Sequence, residues 1–127
     1  MSDVVFDSSV VLAWLLQESG ASGILALIPD SILSSVNAAE AQARLIRKGL
    51  SPNVAWNKVM ASVREISSFD AAQAEVAGTL IRQTLPLGLS LGDRACLALG
   101  LARNCPVYTA DRAWAQLQVG VDVRLVR

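Results

Sequence analysis

The sequence predicts an α/β domain: a parallel sheet of four to five short strands with helices on both faces. Three observations carry that expectation. Short β-branched runs alternate with longer stretches of helical periodicity. The first run, Val4-Val5-Phe6, is wholly apolar, as in a strand buried on both faces. Two runs, ending at Phe6 and Thr109, lead into an acid, Asp7 and Asp111, and then into a helical pattern. In such sheets, ligands sit beyond the carboxyl ends of the strands. Asp7 and Asp111 are therefore expected at the same edge.

A chain of 127 residues reads as one domain, 1–127, and 53% hydrophobic residues suffice for a core. The net charge of +0 gives no general basic field, so attraction to nucleic acid must come from local arginines or bound metal. The start carries Asp3 and Asp7 and lacks a basic segment, so no signal peptide is expected. No apolar stretch reaches the ~18–20 residues that span a bilayer. Cys96 and Cys105 form no CxxC pair and read as free thiols in a reducing compartment, the cytoplasm. The count of His is 0, which removes Ser-His-Asp and Cys-His catalysis and His-rich zinc sites.

In chain order, the first strand ends at Asp7, turns through Ser8, and opens a helix capped by Ser9. Gly20 to Gly23 breaks that helix, Ile24 to Ile28 resumes it, and Pro29-Asp30 ends it. Residues 31–34 form a second strand. Ser35 or Asn37 caps a helix over roughly 36–48, which Gly49 terminates. Pro52 opens another helix, with Ala55, Val59, Met60 and Val63 on its apolar face. Residues 64–69 are ambiguous, with a strand one of the readings. Asp70 caps a long helix over 71–84. Ser90 to Asp93 opens a helix apolar around its whole circumference, and residues 107–109 make a strand closed by Asp111. A short helix with Trp114 and Leu117 follows. Residues 121–125 alternate as a last edge strand.

Four acids then draw attention: Asp7, Glu40, Asp93 and Asp111. Asp93 heads the most apolar helix. Val36 and Ala43 flank Glu40 at i−4 and i+3, which points it inward. Each acid has an ordinary reading too. Asp93 completes a capping box with Ser90, Asp111 caps the next turn, Asp7 serves a turn, and Glu40 pairs with Arg44 or Arg47. One shared site explains all four. Two carboxylates ~4 Å apart repel by roughly 4 kcal/mol at an effective dielectric near 20. Four together threaten a domain whose stability is about 5–15 kcal/mol, so protons, arginines or metal ions must compensate. An all-oxygen set suits Mg²⁺ or Mn²⁺, with Ser9 and Thr109 adding hydroxyls. Such a metal supports phosphodiester hydrolysis.

Val5-Phe6-Asp7-Ser8-Ser9-Val10 resembles the opening of the PIN domain, an RNase-like nuclease fold. Asn37-Ala38-Ala39-Glu40 resembles that family's second acidic block, Gly88 to Leu99 its third, and Val107-Tyr108-Thr109-Ala110-Asp111 its fourth. More narrowly, the chain looks like the VapC-type toxins of bacterial toxin–antitoxin pairs. The resemblance implies that Asp7, Glu40, Asp93 and Asp111 hold Mg²⁺ or Mn²⁺ directly or through water, supported by Ser9. It implies an endoribonuclease acting on tRNA or other structured RNA, silenced by a cognate antitoxin, dimeric and without a membrane anchor. Arg94 and Arg112, each after a motif acid, are candidate phosphate contacts. Trp56, beside Asn53 and Lys58, is the candidate protein contact. Two departures stand out. Ala113 occupies a position where many relatives carry a further acid, which removes a ligand for a second metal. Gly92 stands where Ala is frequent, a change expected to loosen the helix start without touching the chemistry.

Two other classes fit parts of the pattern. A receiver-like signalling module has an acidic pocket at its strand ends, but it needs a Lys after a late strand. Lys48 and Lys58 both lie in helical patterns. A binding protein with a vestigial site is the other.

Overall fold

The computed structural model describes residues 2–127. Five strands, β1 (Val4–Phe6), β2 (Ser31–Ser34), β3 (Glu65–Ser67), β4 (Val107–Thr109) and β5 (Val123–Leu125), form one sheet. All four pairings are parallel, in the order β3-β2-β1-β4-β5. The chain winds outward one way from β1 and then restarts at β4 on its other side. The β1/β4 boundary is thus the switch point where the crossovers diverge and a crevice opens. A receiver-like flavodoxin order would place β1 between β2 and β3, which this sheet does not.

Seven helices cover the sheet: α1 (Ser8–Leu15), α2 (Ala21–Ile24), α3 (Ser35–Arg47), α4 (Pro52–Ala61), α5 (Ala71–Thr79), α6 (Ile81–Thr84) and α7 (Leu91–Arg103). Side-chain alternation splits the core in two. Val4, Phe6 and Leu33 point to the side of α1, α3 and α4, where they meet Val10, Ala41, Leu45 and Val59. Val5, Ile32 and Val107 point the other way, to Cys96, Leu97 and Leu99 of α7 and to Trp114. Trp114, fully buried, anchors the 3₁₀ turn Arg112–Gln116 after β4. Helix α7 lies so close to β4 that a Cβ on Gly100 would sit 2.5 Å from a Val107 methyl.

Several local details differ from expectation, each for a physical reason. Helix α1 is capped by Asp7, not Ser9, because the Asp7 carboxylate accepts the Val10 amide. Helix α3 is capped by Ser34, whose hydroxyl accepts from Val36, rather than by Ser35 or Asn37. The break after α1 falls at 16–20, where Gly20 takes a left-handed φ of 92°, so that Ala21, Ser22 and Gly23 already belong to α2, which runs on as a 3₁₀ turn over Leu25–Asp30. The expected long helix over 71–84 stops at Leu80 and resumes as α6. Gly78 is a weak helix former there, and the Thr79 hydroxyl donates to the Val76 carbonyl, a local bond of the kind that bends helices. Met60 is 44% exposed, off the buried face of α4 that Ala55 and Val59 form. The ambiguous 64–69 stretch contains β3, an edge strand. Among the described residues, no helix is long and apolar enough to cross a membrane.

Candidate functional site

Asp7 follows β1 and Asp111 follows β4, so both stand at the switch point. Asp7 is only 3% exposed. Its Oδ1 accepts from the Ser9 hydroxyl and, at 3.1 Å, from the Val10 amide. Its Oδ2 accepts from the Thr109 hydroxyl at 2.7 Å. Burial pushes the carboxyl up to about 6; the hydrogen bonds from Ser9, Thr109 and Val10 pull the other way, and the charge of Asp93 adds to the rise. The supporting hydroxyls also bind the adjoining backbone. Ser9 Oγ accepts the Ala110 amide at 2.9 Å, and Thr109 Oγ1 accepts the Asp111 amide at 3.0 Å. These bonds tie the carboxyl ends of β1 and β4 into one rim.

Asp93, half-buried at the head of α7, completes a true capping box with Ser90. One oxygen, Oδ2, accepts the Ser90 amide at 2.8 Å. Burial raises its carboxyl above the ordinary range, hydrogen bonds from Ser90 oppose that, and the Asp111 charge reinforces it. The cap reading and the site reading of Asp93 are therefore compatible. Asp111 is exposed and likewise caps its own turn through the Ala113 amide.

Glu40 departs from expectation. It is exposed rather than turned inward, because the buried stripe of α3 is Ala38, Ala41 and Leu45, and Ala43 is exposed too. Its carboxylate nevertheless leans across to α7, held at Oε1 by Asn37 Nδ2 at 2.8 Å. Cys96 marks the common ground. Burial drives this thiol well above its ordinary value, and Asp7, Asp93 and Glu40 all push it further. The electrostatic neighbourhoods of the four acids thus overlap: Asp7 with Asp93, Asp93 with Asp111, and Cys96 with the first three.

Their charges are not neutralised by arginine. Among the described residues, none of the four makes an ion pair, whereas acids elsewhere do. Asp3 and Glu65 share Arg64 and Arg103, Asp122 pairs with Arg124, and Glu18 with Arg127. Of the two candidate phosphate contacts, Arg94 turns to the side, donating to the Ala77 carbonyl at 3.0 Å. Arg112 lies exposed beside Asp111.

The donor set is hard, anionic and uncompensated, which fits a divalent cation such as Mg²⁺ or Mn²⁺. As placed, no three carboxyl or thiol groups among the described residues close into an ion cage. One oxygen each of Asp93 and Asp111 accepts a helix-cap bond, and Glu40 Oε1 accepts from Asn37. Asn37 is the residue whose role was not anticipated. An Asn three residues before a Glu within one helix was the available signal.

A PIN domain model matches residues 4–120. No curated protein matches the chain significantly in sequence. Among solved structures, a toxin–antitoxin complex from Klebsiella pneumoniae superposes with a TM-score of 0.76 at 16% identity, covering 98% of each chain. DNA-bound VapBC from Salmonella typhimurium gives 0.74 at 15% identity over 100% of both chains. VapC20 of Mycobacterium tuberculosis, a sarcin–ricin loop cleaving toxin, gives 0.71 at 20% identity, covering 94% of this chain and 98% of that one. At these identities the likeness is one of fold.

Proposed function

The chain belongs to the PIN-domain family, a family of nucleases, and on that premise we propose that it is a Mg²⁺- or Mn²⁺-dependent endoribonuclease toxin silenced by a cognate antitoxin. One observation carries the reading. Asp7 is buried at the β1/β4 switch point with its carboxyl pushed up to about 6, beside further acids that no arginine offsets. A fold keeps such a liability where a cation relieves it.

In this reading Asp7, Glu40, Asp93 and Asp111 hold the ion directly or through water. When bound, the ion activates water and offsets charge on the phosphodiester. The remaining work belongs to the chain. Ser9 and Thr109 fix both oxygens of Asp7, so the carboxylate enters the reaction already oriented. Asp93 Oδ2 accepts the Ser90 amide, so Oδ1 is the oxygen available to the ion. The proton that the attacking water gives up passes to a carboxylate of the set. Water attacks phosphorus in line, the P–O bond to the leaving ribose oxygen breaks, and that oxygen takes a proton. Arg112 contacts a flanking phosphate, and Arg94 shares that role if its bond to Ala77 is released.

The substrate is RNA, with tRNA or another structured RNA the favoured class. The partner reading comes from the neighbours: the Klebsiella pneumoniae and Salmonella typhimurium structures are toxin–antitoxin assemblies. Val54 and Met60 on α4 and Ile46 on α3 expose apolar groups of the kind a partner chain covers, whether antitoxin or a second protomer. The free thiols of Cys96 and Cys105 accord with a cytoplasmic setting.

The test is cleavage of total RNA by purified protein. Mg²⁺ or Mn²⁺ supports cutting, a chelator stops it, adding metal back restores it, and Asp7→Asn is inactive with or without metal. Cleavage that survives in Asp7→Asn would refute the site.

A further inference from the structure

We propose that Gly92 and Asn37 form the positioning device for the Glu40 carboxylate: one supplies the space it occupies, the other the hydrogen bond that keeps it there. The inference deepens the metal-nuclease reading and rests on it for its functional consequence.

Glu40 is an exposed side chain with several free rotors, and holding it still is entropically unfavourable. Yet its carboxylate is packed onto the first turn of α7. A Cβ built on Gly92 would meet Glu40 Oε2 at 2.1 Å, Cδ at 2.5 Å and Oε1 at 2.6 Å. All three are carboxylate atoms, and each is closer than atoms can stand. Any side chain at 92 therefore expels the carboxylate from this seat. Gly92 is buried and helical, and it lies beside Asp93, so the seat sets Glu40 next to another acid of the site.

Asn37 closes the seat from below. It is fully buried, and its Nδ2 donates both to Glu40 Oε1 at 2.8 Å and to the Gly92 carbonyl at 3.0 Å. Among the described residues, its Oδ1 has no partner. The opposite amide orientation would set Oδ1 against two acceptors, so the donors must face Glu40 and Gly92. An orphaned carbonyl inside a helix is a poor choice for stability. It is a sensible one if the task is to bridge α3, α7 and the carboxylate with one amide. The expectation that Gly92 leaves the chemistry untouched is thereby revised.

The test is a double-mutant cycle of Gly92→Ala with Glu40→Ala, read by thermal midpoint in chelator and by Mn²⁺ calorimetry. In the Glu40→Ala background, nothing obstructs the new methyl, and the better helix former raises the midpoint by about 2–5 °C. With Glu40 present the gain is smaller or reversed, because the carboxylate must leave its seat. Mn²⁺ affinity falls about 10–100-fold in Gly92→Ala, the range for lost ligand-orienting partners, and also falls in Asn37→Ala. Gly92→Ala has no further effect on Mn²⁺ affinity once Glu40 is Ala. Equal midpoint shifts in both backgrounds would overturn the proposal, as would wild-type Mn²⁺ affinity in Gly92→Ala. Thermal coupling in a protein whose wild type binds no Mn²⁺ would uphold the positioning and sink the metal reading instead.

Discussion

Replacing Asp7 by Asn removes a charge while keeping shape and cap, since Asn caps helices as well as Asp. The consequence for stability follows from burial. The Asp7 carboxyl rises from 3.8 to about 6 in the folded chain, burial being the largest cause. At about 1.4 kcal/mol for each pH unit, keeping it ionised costs the native state about 3 kcal/mol. Between pH 4 and 6 the folded state binds more protons than the unfolded one, so stability falls as pH rises through that window. Below pH 4 both states are protonated and the cost vanishes; above 6 it is complete. Asn carries no such proton. In chelator at pH 7.5, Asp7→Asn is therefore expected to be more stable than wild type by about 1–3 kcal/mol, the lower figure allowing for a weaker bond to Thr109. At pH 4 the advantage disappears. Urea unfolding at the two pH values measures this directly, provided the slopes agree. Added Mg²⁺ narrows the gap at pH 7.5 by stabilising only wild type. A variant that is less stable at pH 7.5, or equally shifted at both pH values, would refute the burial argument.

Further outcomes follow from the same geometry. Thr109→Val keeps the shape but leaves Asp7 Oδ2 and the Asp111 amide without a partner; urea unfolding should show a loss of about 1–3 kcal/mol. Removing that lowering bond moves the Asp7 carboxyl further up, so the acid limb of the cleavage pH profile shifts to higher pH. Gly100→Ala drives a methyl onto Val107 and should cost about 1–3 kcal/mol by overpacking, with the midpoint falling. Arg112→Ala should raise KM for RNA and flatten its salt dependence. Arg94→Ala instead removes the bond to Ala77 and should show mainly as a lower unfolding midpoint.

What the sequence made legible is what local chemistry dictates. Val4-Val5-Phe6 could be read as a doubly buried strand because all three of its side chains are apolar, and the alternation to two cores is a consequence of strand geometry. Ser90 and Asp93 announced their cap through spacing alone. The misplaced caps at Ser9 and Asn37 show the limit. Ser8, Ser9, Asp7, Ser34, Ser35 and Asn37 are all competent caps, and the winner depends on where the strand lets go. The orientation of Glu40 was illegible for a different reason. Its seat is made by Gly92, 52 positions away in sequence, and the signal is a missing side chain. Likewise Arg94 follows a motif acid, but only the packing of α7 on α5 reveals the Ala77 carbonyl that takes its guanidinium.

The most direct measurement is a calorimetric Mn²⁺ titration of wild type beside Asp7→Asn, Glu40→Gln, Asp93→Asn and Asp111→Asn. Wild type should bind the ion, and affinity should drop in every variant, furthest where the buried carboxylate of Asp7 is lost. Undiminished binding in Asp7→Asn and Asp93→Asn would mean that these acids do not serve a common cation.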